Sequence, residues 1–323
     1  MDIDRFRNDF VRSERRRFMP TSLEMTNKAF LDNNFGEFSQ EYFFENASEY
    51  IYTMRATVWK EFLDLEKKFT ANTSEKLVAH SNTDRLSSIV TDSKYTTEEK
   101  VTKFVSDFIK QFDEYLYALH LSNTQSRRSR AGNEFEYIIY KLLAHANFQF
   151  DDQGMLGNER FESVGLGKLV DIAVPGVVEY NQEKHKCALI SMKTTLRERW
   201  QEVPEELNRT GAQSMYLLTL DEDISGPKID TIYGNNVHLV VPDKEKEAKH
   251  KTNSKVYGMT EFLYELDDIR RYWARKNPTH LGKSYYEEKI KIYNFRKNAT
   301  PLSSEKKIYE SYISLFKDKL DKF

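Results

Sequence analysis

Two residues stand where chemistry can be done. Asp171 interrupts the apolar run "KLVDIAVPG", and Lys193 ends the apolar run "KCALISMKT". An aspartate inside such a strand is costly unless it is paired, hydrogen-bonded or bound to a cation. If the two runs are antiparallel neighbours, they bring an Asp and a Lys to one place. Mg²⁺ takes one or two carboxylates together with phosphate oxygens. It polarises the phosphate and lowers the pKa of a water, while a lysine orients that water and stabilises charge. The chemistry in view is metal-assisted hydrolysis of a phosphodiester.

One part of that constellation is out of place. Two positions before Lys193, where a second carboxylate is expected, the sequence has Ser191. Glu202, Glu205 and Glu206 follow on the next helical stretch, which Pro204 breaks and restarts, and any of them can return an acid to the site. The competing reading is a solvated acidic helix face. Arg197, Glu198 and Arg199 sit directly after the lysine. Arginine forks onto guanine O6 and N7 and glutamate accepts from cytosine N4, so the triplet suits adjacent G·C pairs; the plainer reading is a surface charge run. Arg127, Arg128 and Arg130 in "QSRRSRAG" are candidates for phosphate contacts. The acidic pair Asp151 and Asp152 reads as solvated turn chemistry. The scattered histidines and the absence of CxxC argue against zinc, and "GLGK" lacks the spacing of a phosphate-binding loop.

The elements that must carry these residues change period along the chain. Up to about Leu121 the pattern is helical, with Tyr52, Arg55, Trp59 and Phe62, then Val101, Phe104, Val105, Phe108, Ile109 and Phe112, at three- and four-residue steps. The polar stretch "TANTSEKLVAHSNTDRLSS" between them predicts loops. "SRRSRAGNEFEYIIYKLLAHANF" predicts a basic loop entering a helix whose buried stripe is Phe135, Ile138, Ile139, Leu142 and Leu143. Then come four short strands, "KLVDIAVPG", "KCALISMKT", "SMYLLTLD" and "NVHLVVPD". "GVVEYNQEKHK" suits a hairpin between the first two. The helical stretch between the second and third permits a parallel crossover. Helices return from Thr260. The predicted organisation is a helical N-terminal region over 1–121, a core over 122–258 and C-terminal helices over 259–323.

Composition sets the outer limits. At 323 residues, with 31% charged and 39% hydrophobic residues, the chain can bury one large core or a core with a helical annex. The 21 Phe and 19 Tyr speak against disorder. A net charge of −2 means that any nucleic-acid contact must come from a local basic patch. No apolar run is long enough to cross a membrane, and the arginine-rich N-terminus lacks a hydrophobic region, so no secretion signal is expected. The single cysteine, Cys187, reads as a core residue and fits a reducing, cytoplasmic setting.

Taken in order, "RAGNEFE", "VDIAV" and "SMKTTLRERWQEVPEEL" resemble the EcoRII/SsoII group of Type II restriction endonucleases, which cut sites with a CCGG, CCNGG or CCWGG core. The likeness is strong over roughly Gln125 to Leu207. It implies an α/β fold: a PD-(D/E)xK core, a central mixed β-sheet flanked by helices, with an N-terminal helical subdomain. It also implies a permuted active site. Asp171 and Glu206 would bind Mg²⁺, Lys193 would serve the attacking water, Ser191 would mark the vacated position and Glu136 would be an accessory acid. Glu206 is preferred to its neighbours because it follows Lys193 by thirteen positions, about as in the relatives. Arg197, Glu198 and Arg199 match the base-reading segment, and Gln125 a position that probes the central pairs from the minor groove. Arg55 and Trp59, one helical turn apart, match a pair that clamps flipped central nucleotides. The implied partners are double-stranded DNA, a second copy of the chain, and a cognate bacterial DNA methyltransferase acting functionally rather than by contact. The outer helical portions can extend the site to TCCNGGA.

Overall fold

The computed structural model describes residues 2–167, 170–196, Leu207, 214–276 and 278–323. Two long helices organise the N-terminal half: α1 (Ala47–Ala79) and α2 (Thr97–His145). Both the polar stretch after Phe69 and the basic "QSRRSRAG" segment lie within helices, which corrects two sequence expectations. The polar stretch is helical because Phe69, Thr73 and Leu77 recur every fourth residue and are fully buried. A buried threonine in that row hid the stripe from a reading by polarity. After a short turn, Asp84–Thr91 forms another helix and buries Leu86 and Ile89.

The chain divides into two compact units, one made of Met1–Met25 and Thr57–Ala131, the other of Thr26–Ala56 and Gly132–Phe323. In the first, Phe6, Val58, Phe62, Phe69, Phe112 and Leu119 form the interior. Two of the arginines expected on phosphate are engaged internally. Arg127 grips the buried Glu66 through Nε at 2.8 Å, and Arg130 lies over the Phe62 ring at 5.2 Å and donates to the Pro20 carbonyl. Charge-assisted bonds of this kind tie the helices together. Arg128 is exposed.

The second unit is built on a six-stranded sheet in the order β1 (Asp151–Asp152), β2 (Ile172–Val174), β3 (Ala188–Lys193), β4 (Met215–Thr219), β5 (Val237–Val241), β6 (Val256–Gly258). β1, β2 and β3 pair antiparallel, and β3 through β6 pair parallel. The antiparallel β2–β3 pair and the parallel β3–β4 pair match the sequence reading. The link between β2 and β3 does not: it folds α3 (Val177–Gln182), which sinks Val177 and Tyr180 into the cluster below the sheet. β1 and β6 were not foreseen. That cluster gathers Ala173, Leu189, Leu217, Leu239 and Val256 from successive strands, with Ile229 and Ile232 of α4 (Gly226–Gly234). The period-two alternation of the strands puts these residues on one face.

Long helices follow, α5 (Met259–Ala274), α6 (Lys283–Ala299) and α7 (Ser303–Leu320), with a single turn at Pro278–Leu281 between the first two. They enclose an aromatic cluster of Trp273, Tyr285, Tyr286, Tyr293, Tyr309, Tyr312 and Phe316. Phe262 of α5 packs on Tyr216 of β4, with ring centroids 5.0 Å apart. Buried charges tie α6 to the strands. Lys289 meets Glu179 at 2.9 Å, both side chains wholly enclosed, and Tyr285 donates to the same carboxylate at 2.7 Å. Gly176 lies against this group: a Cβ there would be 2.5 Å from Asp151 Oδ2 and 2.6 Å from Lys289 Nζ, so no side chain fits. Asp152 pairs with the buried Arg296 at 2.7 Å. The solvated-turn reading of Asp151 and Asp152 is therefore wrong: both are buried, Asp151 accepting from the Val177 N–H and Asp152 neutralised by Arg296.

Candidate active site

β2 and β3 place Asp171 and Lys193 at the same end of the antiparallel pair. The Asp171 N–H donates to the Ile190 carbonyl at 2.9 Å, and its Oδ2 accepts from the Met192 N–H at 2.6 Å. The aspartate thus straddles Ser191. Lys193 lies two residues on, on the same face of β3 as Ser191 by strand alternation. Asp171 and Lys193 are both half-buried, whereas Ser191 is fully enclosed and its hydroxyl has no hydrogen-bond partner among the described residues.

Glu136 joins this group from α2. Its carboxyl is pushed up to about 7, first by burial and then by the charge of Asp171, with partial relief from Lys193 and the Tyr140 hydroxyl. An acid raised by the charge of a neighbouring carboxylate marks a place where a cation is favourable. The donors are hard oxygens, the set that Mg²⁺ and its relatives take in preference to softer metals. Asp171 offers one such donor, and Glu136 stands near it as a further acid. Among the described residues no group of three His, Cys, Asp or Glu is placed to hold a metal by itself. Glu202, Glu205 and Glu206, and with them Pro204, lie outside the described residues.

Beyond Lys193 the backbone is pinned before it leaves the sheet. Lys193 pairs in register with the buried Thr219, whose hydroxyl accepts from the Asp221 N–H at 3.1 Å. Asp221 Oδ2 in turn accepts from the Leu196 N–H at 2.9 Å. Sequence reading missed this role of Asp221; its signal was an aspartate at the end of "SMYLLTLD". The expected reader, Arg197, Glu198 and Arg199, lies outside the described residues.

The remaining candidates lie on the long helices. Gln125 is exposed on α2. On α1, Arg55 is half-buried, and burial lowers its affinity for its proton against the opposing charge of Glu134. Trp59 is 36% exposed, its ring 5.4 Å from that of Phe62. Cys187 is half-buried and its thiol is pushed up by burial, away from the reactive thiolate. No helix among the described residues is long and apolar enough to cross a membrane.

A mixed sheet with an Asp and a Lys meeting at one end of an antiparallel pair, flanked by a helix that supplies a further acid, is the framework of the PD-(D/E)xK nucleases. Residues 93–263 match the family model described as EcoRII C terminal. The chain is 39% identical over 280 residues to the Type II restriction enzyme SsoII of Shigella sonnei, covering 87% of this chain and 88% of that protein. Metal-depleted Ecl18kI in complex with uncleaved, modified DNA superposes with a TM-score of 0.84 at 34% identity, over 97% of this chain and 99% of that one. The PspGI–substrate DNA complex shares the fold, with a TM-score of 0.53 at 16% identity over 78% of this chain and 93% of that one. The chain belongs to the EcoRII/SsoII family of Type II restriction endonucleases.

Proposed function

We propose that this enzyme is a Mg²⁺-dependent endonuclease that cuts both strands of DNA at a palindromic site with a CC(N)GG core. The observation that carries the reading is the placement of Asp171 across Ser191, two residues before Lys193. It leaves one carboxylate position vacant and calls for an acid from elsewhere in the chain. Glu206 is the residue proposed to supply it, and Asp171 and Glu206 would hold the ion. When bound, Mg²⁺ contributes Lewis acidity at the scissile phosphate and lowers the pKa of the attacking water. Lys193 orients that water for in-line attack on phosphorus, which leaves a 5′-phosphate. Cleavage before the CC gives 5′ overhangs.

Recognition is assigned to the chain's own polar groups. Arg197 and Arg199 read guanines and Glu198 a cytosine from the major groove, while Gln125 probes the central pairs from the minor groove. Arg55 and Trp59, a turn apart on α1, clamp flipped central nucleotides. A twofold site calls for a twofold dimer. A cognate methyltransferase in the same bacterial cytoplasm would shield the host's own sites. The structures of Ecl18kI that resemble this chain hold uncleaved DNA, which supports DNA as the partner here.

Digestion of phage DNA in Mg²⁺, followed by sequencing of the fragment ends, tests the proposal. Discrete bands whose ends share a CC(N)GG core are expected. A smear would point to an unspecific nuclease of the same fold, and intact DNA to a binding protein without catalysis. For flipping, 2-aminopurine at the central position should brighten when the enzyme binds; unchanged fluorescence would remove Arg55 and Trp59 from this role.

A further inference from the structure

Glu136 cannot be placed by its own helix alone, because a carboxylate on three rotatable bonds needs a partner to choose one orientation. Tyr140 stands one turn later on α2, and its hydroxyl lies 3.5 Å from Glu136 Oε2. Catalytic hydrogen bonds are often that long before substrate binds and tighten in the complex. The tyrosine is itself held. Its ring centroid is 6.0 Å from that of Phe150, and a Cβ on Gly154 would lie 3.7 Å from the Tyr140 hydroxyl and 3.5 Å from Asp152 Oδ1. Phenol and Asp152 thus border the same small space. Behind them Arg296, fully enclosed, donates to Asp152 Oδ2 at 2.7 Å and to the Phe150 carbonyl at 3.0 Å. Its guanidinium also lies 4.5 Å over the Phe150 ring. The supports step from a helix near the end of the chain, through Arg296, Phe150 and Asp152, to the surroundings of Tyr140 and so to the accessory acid.

We infer that Tyr140 is a positioning residue for Glu136, fixed from behind by Asp152 and Arg296, and that through Glu136 it sets how well the site takes its metal. The inference rests on the reading of Asp171, Lys193 and Glu136 as one nuclease site. Burial and the neighbouring Asp152 and Glu136 carboxylates raise the phenol's pKa well above its usual range, so it remains a donor. Tyr140→Phe keeps the ring and removes only the hydroxyl.

The test is a double-mutant cycle of Tyr140→Phe with Glu136→Gln on the full chain. It reads kcat and KM for cleavage of a duplex, and separately the affinity for Mn²⁺ by electron paramagnetic resonance with no turnover. Tyr140→Phe alone should lower kcat about tenfold with KM unchanged, the worth of one hydrogen bond to a charged group, and should weaken Mn²⁺ binding. In the Glu136→Gln background the same substitution should change neither. Wild-type kcat and Mn²⁺ affinity in Tyr140→Phe, or equal losses in both backgrounds, would overturn it, since a merely structural tyrosine acts alike in each. Asp171→Asn serves as the reference. If Asp171→Asn cleaves at the wild-type rate, the site reading itself has failed. A fully active Tyr140→Phe beside an inactive Asp171→Asn fails only the present inference.

Discussion

At the scale of single residues, the proposed site pairs an acid held in one orientation with a lysine at a strand end. Asp171 is locked by the Met192 N–H, whereas Lys193 sits half-exposed at the strand end. Replacing either should separate binding from cutting. Asp171→Ala and Lys193→Ala are expected to lose cleavage by at least about a thousandfold, in line with losses of groups that act on the reacting atoms. Both should still shift a cognate duplex in gels run with Ca²⁺. Turnover near the wild-type rate in either variant contradicts the assignment. That these two residues lie at one end of a strand pair was legible in the sequence because each interrupts or ends an apolar run. The burial of Asp151 and Asp152 was not, since their partners, the Val177 N–H and Arg296, are 26 and 144 positions away.

At the scale of elements, periodicity was a sound guide to helices but not always to their buried face: it missed polar buried rows, and the apolar Val101, Val105 and Ile109 at helical steps are exposed. The stripe of Phe135, Ile138, Ile139, Leu142 and Leu143 is buried as read. The basic character of "QSRRSRAG" suggests a loop. Yet Gly132 lies in the helix, and Arg127 and Arg130 point back to Glu66 and Phe62. The link between β2 and β3 was misread for a similar reason, Glu179 being a buried acid whose partner comes from α6. That partnership carries its own prediction. Lys289→Met leaves the Glu179 carboxylate enclosed without its cation, which should cost about 3–5 kcal/mol in urea unfolding. A loss under about 1 kcal/mol would mean that Tyr285 and the surrounding polar groups suffice for Glu179.

At the scale of the whole molecule, the sheet was partly legible: four strands, the antiparallel first pair and the parallel crossover to the third followed from Val- and Ile-rich runs and the lengths between them, while the direction of the fourth did not. Two edge strands escaped because β1 consists of two aspartates and β6 of three residues. Stability should also depend on pH through His145, which is packed against the rings of Phe30 and Phe43. As the neutral tautomer it donates from Nδ1 to the Lys141 carbonyl at 2.9 Å and accepts at Nε2 from Ser304 at 3.0 Å. Burial lowers its pKa below the usual 6.5. The unfolded chain therefore binds the proton first, and stability that is complete above about pH 6.5 is lost as the pH falls toward the folded value. The contribution is up to about 1.4 kcal/mol per pH unit, and urea unfolding at pH 7.5 and 5.5 should show it. His145→Gln should flatten that slope; an unchanged slope would exclude His145 as its source. The enclosed Ser191 hydroxyl has a different consequence, for the enzyme's dependence on its ion supply. With a neutral residue there, folding should not have to wait for an ion. Ser191→Asp would place a second carboxylate beside Asp171 in the same enclosed space and make folding itself a metal-binding event. Its melting temperature should fall in EDTA and climb back with Mn²⁺, while that of the natural chain moves much less; equal responses in both proteins would mean that Ser191 is no safeguard against ion scarcity.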